Sequence, residues 1–465
     1  MNCVTIFIVV IKHLVINEIM IQQLTLSNSI KKIILVFSLF LTSLLSFAQM
    51  PKPALVGYWE NWGDMKLTDI HQNYTVIQLA FGTTKGSSLY DMEFNIPWWY
   101  AKADFVADMA TLQAEKKVII LSLGGASDPI RLDDELAYNT FVSSINKIME
   151  DYNYAFDGID IDFESSSLNF GKDWTMSNPS NEQVYLVDAI RAIQANYLAE
   201  KGKRMLLTMA PENIYVAGGL SPYWVSNLNG GAMLPIIEEL RDDIDLLHTQ
   251  FYNVYSQSYG LDGKLYDEAT GDYLVAVTEA TIQGFTIKGG KGSFSGFDAD
   301  KFVIGLPAGE CSAGKGYITP AEVTKAVDYL RGVTSKPSGW SYSLIETYPD
   351  LRGLMTWSIN GDKKASCSGE WTFAEGFKDA FPEEVVMSIN EKNTETVFSI
   401  YPNPTTDVVQ IQTDQIFSTV VVYSVLGQQL ATYEIENQAT IDLSSYQKGI
   451  YLVAVNDVVQ RVVKD

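Results

Sequence analysis

Between Ala54 and Phe381 the chain repeats one arrangement: a short run of mostly apolar, β-forming residues, then a longer stretch in which apolar residues return at helical spacing. The apolar runs fall at Ala54–Trp59, Thr75–Gly82, Lys117–Gly124, Phe156–Glu164, Arg204–Ala210, Ile244–Asn253, Lys301–Pro307 and Arg352–Ser358. Of the intervening stretches, Asn181–Glu200 sets Leu186, Ile190, Ile193 and Tyr197 at helical spacing. Thr319-Pro320-Ala321-Glu322 reads as a capping box with proline at the first helical position. Eight alternations of strand and helix predict an α/β fold, a (β/α)8 TIM barrel with its catalytic groups at the carboxyl ends of the strands.

After Phe381 the pattern changes. Glu383–Val397 is polar and reads as a linker, and short β runs follow at Val408–Gln412, Thr419–Val425, Gly449–Asn456 and Val458–Val463, separated by turn residues. They predict a small all-β sandwich. The expected organisation is a leader at 1–48, a barrel at 49–382, a linker at 383–397 and the sandwich at 398–465.

One strand breaks the apolar rule. In Asp157-Gly158-Ile159-Asp160-Ile161-Asp162-Phe163-Glu164, Asp160, Asp162 and Glu164 share one face while Ile159, Ile161 and Phe163 take the other. Same-face neighbours on a strand lie roughly 6.5 to 7 Å apart. Carboxylates that close, in a partly dry place, cannot all stay ionised without cost, so at least one is expected to have a raised pKa. A carboxylic acid kept protonated beside ionised ones is what a general acid for glycosidic cleavage requires. A solvated acidic edge strand is the plainer alternative, but its far face would not need Ile, Ile and Phe. A calcium loop is another, but it needs Gly at its sixth position and turn-forming filler, where this chain has Ser165 and β-formers. Asp157 has the opposite parity and is read as structural.

Composition narrows the partners. The chain carries 33 Lys and Arg against 56 Asp and Glu, a net charge of −23, which argues against nucleic acid and anionic membrane surfaces. Lys31-Lys32, the apolar run Ile33–Leu45 and Ser46-Phe47-Ala48 have the three parts of a secretory signal peptide with cleavage before Gln49. The run is too short for a comfortable membrane span, and Met20 is an alternative start. An exported, acidic, monomeric chain without a membrane span is expected. Cys311 and Cys367 remain after the leader is lost, either bridged or as two thiols.

Strand by strand, the barrel resembles family 18 glycoside hydrolases, the chitinases. The family's fourth-strand signature, D-G-x-D-x-D-x-E, is matched in full by Asp157–Glu164. Ser122-Leu123-Gly124-Gly125 matches its third strand, Gly57-Tyr58-Trp59 its first, Gln250-Phe251-Tyr252-Asn253 its sixth and Trp357 its eighth. The resemblance implies retaining hydrolysis in which the substrate's own N-acetyl group is the nucleophile, with no cofactor or metal. It makes Glu164 the acid that protonates the leaving oxygen and later activates water. Asp162 would orient the acetamido N–H, Asp160 would share a proton with Asp162, and Tyr252 would donate to the acetamido oxygen. Tyr58, Phe81, Ser122, Met209, Gln250, Asn253 and Trp357 would support or contact substrate, with Trp357 as the floor of the sugar site. Trp59, Trp62, Trp98, Trp99, Trp174, Trp224 and Trp340 are candidates for stacking on sugars, of which two or three are expected to serve.

The implied substrate is chitin or N-acetylglucosamine oligosaccharides. An endo-β-N-acetylglucosaminidase on glycoprotein glycans and a non-catalytic lectin of the same fold are the rivals. The stretch from Pro307 to Arg352 is too short for the α+β lid some members insert, which implies an open groove and internal cleavage. Tyr401-Pro402-Asn403-Pro404, Gly449–Val453 and the basic finish Arg461–Lys464 resemble a sorting domain of type IX secretion, implying a secreted or surface-attached protein. A carbohydrate-binding module is the alternative, but this segment has no Trp to present.

Overall fold

In the computed structural model each of the eight apolar runs contains a strand of one closed parallel sheet. The strands are β1 (Ala54–Glu60), β2 (Val76–Thr84), β3 (Val118–Gly124), β4 (Gly158–Asp162), β5 (Leu206–Met209), β6 (Leu246–Gln250), β7 (Phe302–Pro307) and β8 (Gly353–Trp357). Each pairs with its neighbours in chain order, and β1 pairs with both β2 and β8, which closes the barrel. Residues 50–167, 170–254, 256–382, 398–413, 418–424, 429–455 and 458–465 are described, and the chain divides into two units after Pro382. The expected leader at 1–48 and linker at 383–397 lie outside the described residues.

Period-two alternation sorts the strand side chains into two layers. Val56, Val76, Val118, Ile120, Leu206, Leu246, Val303 and Met355 fill the barrel, while Leu55, Ile77, Ile119, Ile159, Ile161, Leu207, Leu247 and Ile304 join the larger core beneath the helices. Register then decides what meets inside. Ser122 pairs with Asp160 and Asp160 with Thr208, so a carboxylate is flanked by two hydroxyl-bearing neighbours at the same level.

The outer layer is formed by α1 (Lys102–Ala114), α2 (Glu135–Asp151), α3 (Asn181–Lys201), α4 (Pro222–Leu228), α5 (Leu234–Glu239), α6 (Gly271–Gln283), α7 (Pro320–Arg331) and α8 (Thr372–Ala380). The alternation is not fully regular: β1 is followed by only a 3-10 turn at Leu67–Asp69. Helix α3 buries Leu186, Ile190, Ile193 and Tyr197 as its spacing predicts. Its start carries a capping box between Ser180 and Gln183. The box expected at Thr319 does not form: the Thr319 side chain caps nothing, and Glu322 turns instead to Lys325 at 3.2 Å. Between Pro307 and Arg352 the one helix or strand element among the described residues is α7. The loops after β7 and β8 are joined by a disulfide between Cys311 and Cys367, Cα atoms 5.1 Å apart. Among the described residues no helix is long and apolar enough to cross a membrane.

Among its described residues the second unit has seven strands: β9 (Phe398–Tyr401), β10 (Val408–Thr413), β11 (Ser418–Ser424), β12 (Gln429–Ile435), β13 (Gln438–Asp442), β14 (Gly449–Val455) and β15 (Val458–Lys464). They form two antiparallel sheets, β9-β10-β13 and β12-β11-β14-β15, over a core that includes Val409, Ile411, Val420, Val422, Ile441, Val453 and Val462. Of the seven, β9, β12 and β13 were not among the expected runs. Asn403 acts as an extra rung on the last strand, donating to Arg461 O at 2.6 Å and accepting from Val463 N at 2.9 Å. Lys464, part of the basic finish, is buried, and its Nζ donates to Leu443 O at 2.8 Å, Ser444 O at 3.1 Å and Tyr446 O at 2.6 Å.

Candidate active site

Strand β4 carries the chemistry into the barrel and out of its carboxyl end. Asp160 is fully buried and accepts three hydroxyl hydrogen bonds, from Tyr58 at 2.8 Å, Ser122 at 2.7 Å and Thr208 at 2.7 Å. His248, also fully buried, approaches its Oδ1 at 3.4 Å, and Gln78 donates to Thr208 at 2.9 Å behind it. Burial lowers the pKa of His248 against the raising influence of Asp160. Neutral polar partners thus do most of the work of satisfying a carboxylate that would otherwise be too costly to bury.

Asp162 closes β4 and is 2% exposed. Its carboxyl is pushed well above the usual range, first by burial and then by the charges of Glu164, Asp160 and Glu212, while a hydrogen bond from Gln250 at 2.9 Å pulls the other way. Glu164 was expected as the last residue of its strand, but it stands two residues beyond, where the chain has left the sheet. That displacement brings it to the rim. Burial and the Glu212 charge raise its pKa to about 7, opposed by Gln250 at 3.4 Å. The Gln250 amide also donates to Ala210 O at 3.0 Å, so one side chain ties Asp162, Glu164 and the end of β5 together.

A cavity of about 420 Å3 opens above these groups, lined by Trp62, Phe81, Thr83, residues 124–128, Glu164, Gln250, Tyr252, Asn253 and Trp357. Phe81 and Trp357 are stacked, ring centroids 5.6 Å apart and 9° from parallel. Burial, then the charges of Asp162 and Glu164, raises the Tyr252 hydroxyl well above its ordinary value, so it remains an O–H donor. The Ser-x-Gly-Gly run has a steric reason. At Gly124, φ +113°, an added Cβ would lie 2.5 Å from Asp162 O, and at Gly125, φ +86°, one would lie 2.7 Å from the Phe81 ring.

Of the residues singled out from sequence, Glu164, Tyr252, Phe81, Gln250, Asn253 and Trp357 line the cavity, whereas Asp160, Asp162, Tyr58 and Ser122 stand behind it. Met209 is a correction: it is fully buried among the residues under the helices, because Leu206 and Thr208 take the inward parity of β5. Trp59, Trp174 and Trp224 are likewise buried and Trp340 is half-buried, so none of the four belongs to this wall. Asp157 accepts from Gln113 at 2.8 Å and Ile119 N at 3.1 Å and pairs with Lys203 at 3.2 Å, away from the cavity.

Glu212 was missed. It accepts from Ser165 N at 2.9 Å, pinning the residue after Glu164, and burial raises its own pKa against that bond. Its one sequence signal is a carboxylate three residues past a strand end. Among the described residues no group of three or more His, Cys, Asp or Glu is placed to hold a metal ion.

Residues 54–434 match the model of glycosyl hydrolases family 18. Chitinase Chi52 of Paenibacillus xylanexedens is 36% identical over 348 residues, covering 71% of this chain and 63% of that protein. Chitinase ChiA of Flavobacterium johnsoniae is 32% identical over 465 residues, covering 93% of this chain and 28% of that protein. The chain spans less than two thirds of the length of these curated relatives. The crystal structure of a family GH18 chitinase from Chromobacterium violaceum superposes with a TM-score of 0.61 at 32% identity, over 71% of this chain and 84% of that one. A full fourth-strand signature, carried on a closed eight-stranded barrel and matched along most of the chain, places this protein in glycosyl hydrolase family 18.

Proposed function

We propose that the protein is an extracellular, endo-acting chitinase that hydrolyses β-1,4-linked N-acetylglucosamine polymers with retention of configuration. The observation that carries this reading is Glu164: an acid with a pKa of about 7 at the wall of an aromatic-lined cavity, with buried carboxylates behind it. Such an acid is protonated near neutrality and can give its proton to the glycosidic oxygen. The bond from the anomeric carbon to that oxygen breaks while the substrate's acetamido oxygen closes on the same carbon, forming an oxazolinium ion. The Glu164 carboxylate then takes a proton from water, whose oxygen attacks the anomeric carbon and reopens the ring.

Participation by the substrate is favoured because, among the described residues, the wall has no second carboxylate free to act as nucleophile. Asp128 is the other acid lining the cavity, and its two oxygens are held by Thr84 N at 2.8 Å and Thr84 Oγ1 at 2.5 Å. Asp162 offers an acceptor for the acetamido N–H and Tyr252 a donor for the acetamido oxygen. The stacked Trp357 and Phe81 rings form an apolar floor for one pyranose face. The second unit is read as a sorting domain that delivers the chain through type IX secretion machinery.

The test is product analysis on N-acetylglucosamine oligomers beside a high-mannose glycoprotein. Expected are oligomer cleavage, a β-anomer first seen by NMR, and loss of turnover with retained binding in Glu164→Gln. An initial α product overturns the mechanism. Release of glycan from the glycoprotein without action on oligomers overturns the substrate.

A further inference from the structure

Gln78 on β2 and His248 on β6 are fully buried inside the barrel, line no part of the catalytic cavity and take no part in the chemistry proposed above. Their atoms nevertheless extend the network around Asp160. Gln78 Nε2 donates to Thr208 Oγ1 at 2.9 Å, Thr208 Oγ1 donates to Asp160 Oδ1 at 2.7 Å, and Gln78 Nε2 lies 3.3 Å from His248 Nε2. Among the described residues, Gln78 Oε1 and His248 Nδ1 are buried without a hydrogen-bond partner. Two unpaired polar atoms at the centre of a barrel are costly, and an arrangement that keeps them calls for a reason.

The reason is direction. A threonine hydroxyl has one hydrogen, and Thr208 stands between two groups that could take it. With the Gln78 nitrogen toward Thr208, the hydroxyl accepts from the amide and its hydrogen is left for Asp160. With the amide turned over, Gln78 Oε1 would take that hydrogen, and Asp160 could keep its bond to Thr208 only by carrying a proton itself. The orientation of the amide and the charge on Asp160 are thus a single choice. His248 makes it, because a bare Nε2 accepts the second Gln78 N–H and repels the amide oxygen. Burial, ahead of the opposing influence of Asp160, lowers the pKa of His248, so the ring is neutral and one of its nitrogens is bare.

We propose that Gln78 and His248 are positioning residues: a neutral His248 with its proton on Nδ1 fixes the Gln78 amide, the amide fixes the Thr208 hydroxyl, and the hydroxyl holds Asp160 as the charged member of its pair with Asp162. A negative charge kept behind the sugar site steadies a cation formed there, and neither positioning residue touches the substrate. The titratable groups facing Asp160 are Tyr58 from β1, Asp162 from its own strand, His248 from β6 and Tyr252 just past that strand, with Glu164 and Glu212 beyond Asp162. The catalytic consequence rests on the proposed function and the direction of the hydrogen bonds does not, so the two are tested apart.

The chain has three histidines, His13, His71 and His248, so the full chain labelled with 15N-histidine gives an NMR spectrum that His13→Gln and His71→Gln assign. Expected at pH 7 is the pattern of a His248 ring protonated on Nδ1 and bare at Nε2. A proton on Nε2 overturns the inference, whether or not the protein cleaves N-acetylglucosamine oligomers. Gln78→Met keeps the shape and removes the amide. The acid limb of its kcat/KM profile on a soluble oligomer should move to higher pH by about half a unit, a loss of about threefold on that limb, with KM unchanged. An unmoved limb overturns the inference and leaves Gln78 a packing role. If Gln78→Met does not fold, the wild-type tautomer decides alone. If wild type cleaves no oligomer, the proposed function fails and the catalytic consequence with it, while the tautomer still decides the direction of the hydrogen bonds.

Discussion

The acid at Glu164 should cost the protein stability, and the cost should depend on pH. Its carboxyl titrates at about 7 when folded against an ordinary value of 4.5, raised first by burial and then by Glu212. A folded pKa above the unfolded one means the native state holds a proton that the unfolded chain has already released. Stability is therefore full below about pH 4.5 and falls as pH rises toward 7, at about 1.4 kcal/mol per pH unit. The whole span amounts to roughly 3 kcal/mol, which we reduce to about 2 kcal/mol because the side chain borders water in the cavity. Glu164→Gln keeps the shape and an acceptor for Gln250 while removing the charge. It also relieves Asp162, whose pKa is raised in part by Glu164, so both effects have the same sign. At pH 8 the variant should be about 2 kcal/mol more stable than wild type, and at pH 4 the two should coincide. Urea denaturation read by tryptophan fluorescence follows the barrel alone, since all nine tryptophans lie between Trp59 and Trp371. A stability difference of equal size at both pH values would refute the reasoning.

Three further outcomes are expected. Glu212→Gln removes the main neighbouring charge that raises Glu164, so the alkaline limb of the kcat/KM profile should move to lower pH by about one unit; an unmoved limb assigns the shift to burial alone. Gln250→Leu removes the donor that lowers both Asp162 and Glu164, so the limb should move to higher pH while kcat falls about a hundredfold, as measured on a soluble oligomer. Breaking the Cys311–Cys367 bridge, with its separation of 56 residues, should lower barrel stability by about 2 to 4 kcal/mol, seen as a urea midpoint that drops when reductant is added.

The barrel was legible in the sequence because its strands are buried on both faces and so read as unbroken apolar runs. The sandwich was less so. In β12 (Gln429–Ile435) Ile435 alone is fully buried, and in β13 (Gln438–Asp442) Ile441 alone, so neither strand leaves an apolar run to read. Strand phase also explains the misplaced Met209: β5 has four residues, too few for an alternation to be read, and its parity shows only in the fold, where Thr208 bonds Asp160 and Leu206 fills the barrel. The acidic strand stood out because three carboxylates alternating with Ile, Ile and Phe have few structural uses. Glu212, Thr208 and His248 did not, since each gains its role from a residue distant in sequence, Glu212 from the loop at Ser165 and the other two from Asp160. The Thr319 box failed where a surface lysine competed for Glu322, a contest between local partners that a motif does not record.

The hydroxyls around Asp160 come from β1, β3 and β5, and His248 from β6, so one carboxylate is laced to four strands besides its own, the two neighbours of β4 and two more across the barrel. The floor of the active site therefore has no private way to open. Amide protons beside Asp160 should exchange with solvent only when the barrel as a whole comes apart, while those of the rim around Ser165 exchange through local motion. Asp160 would then sit on the slowest-exchanging part of the barrel, and Glu164, two residues past the strand, at the edge of the part that moves.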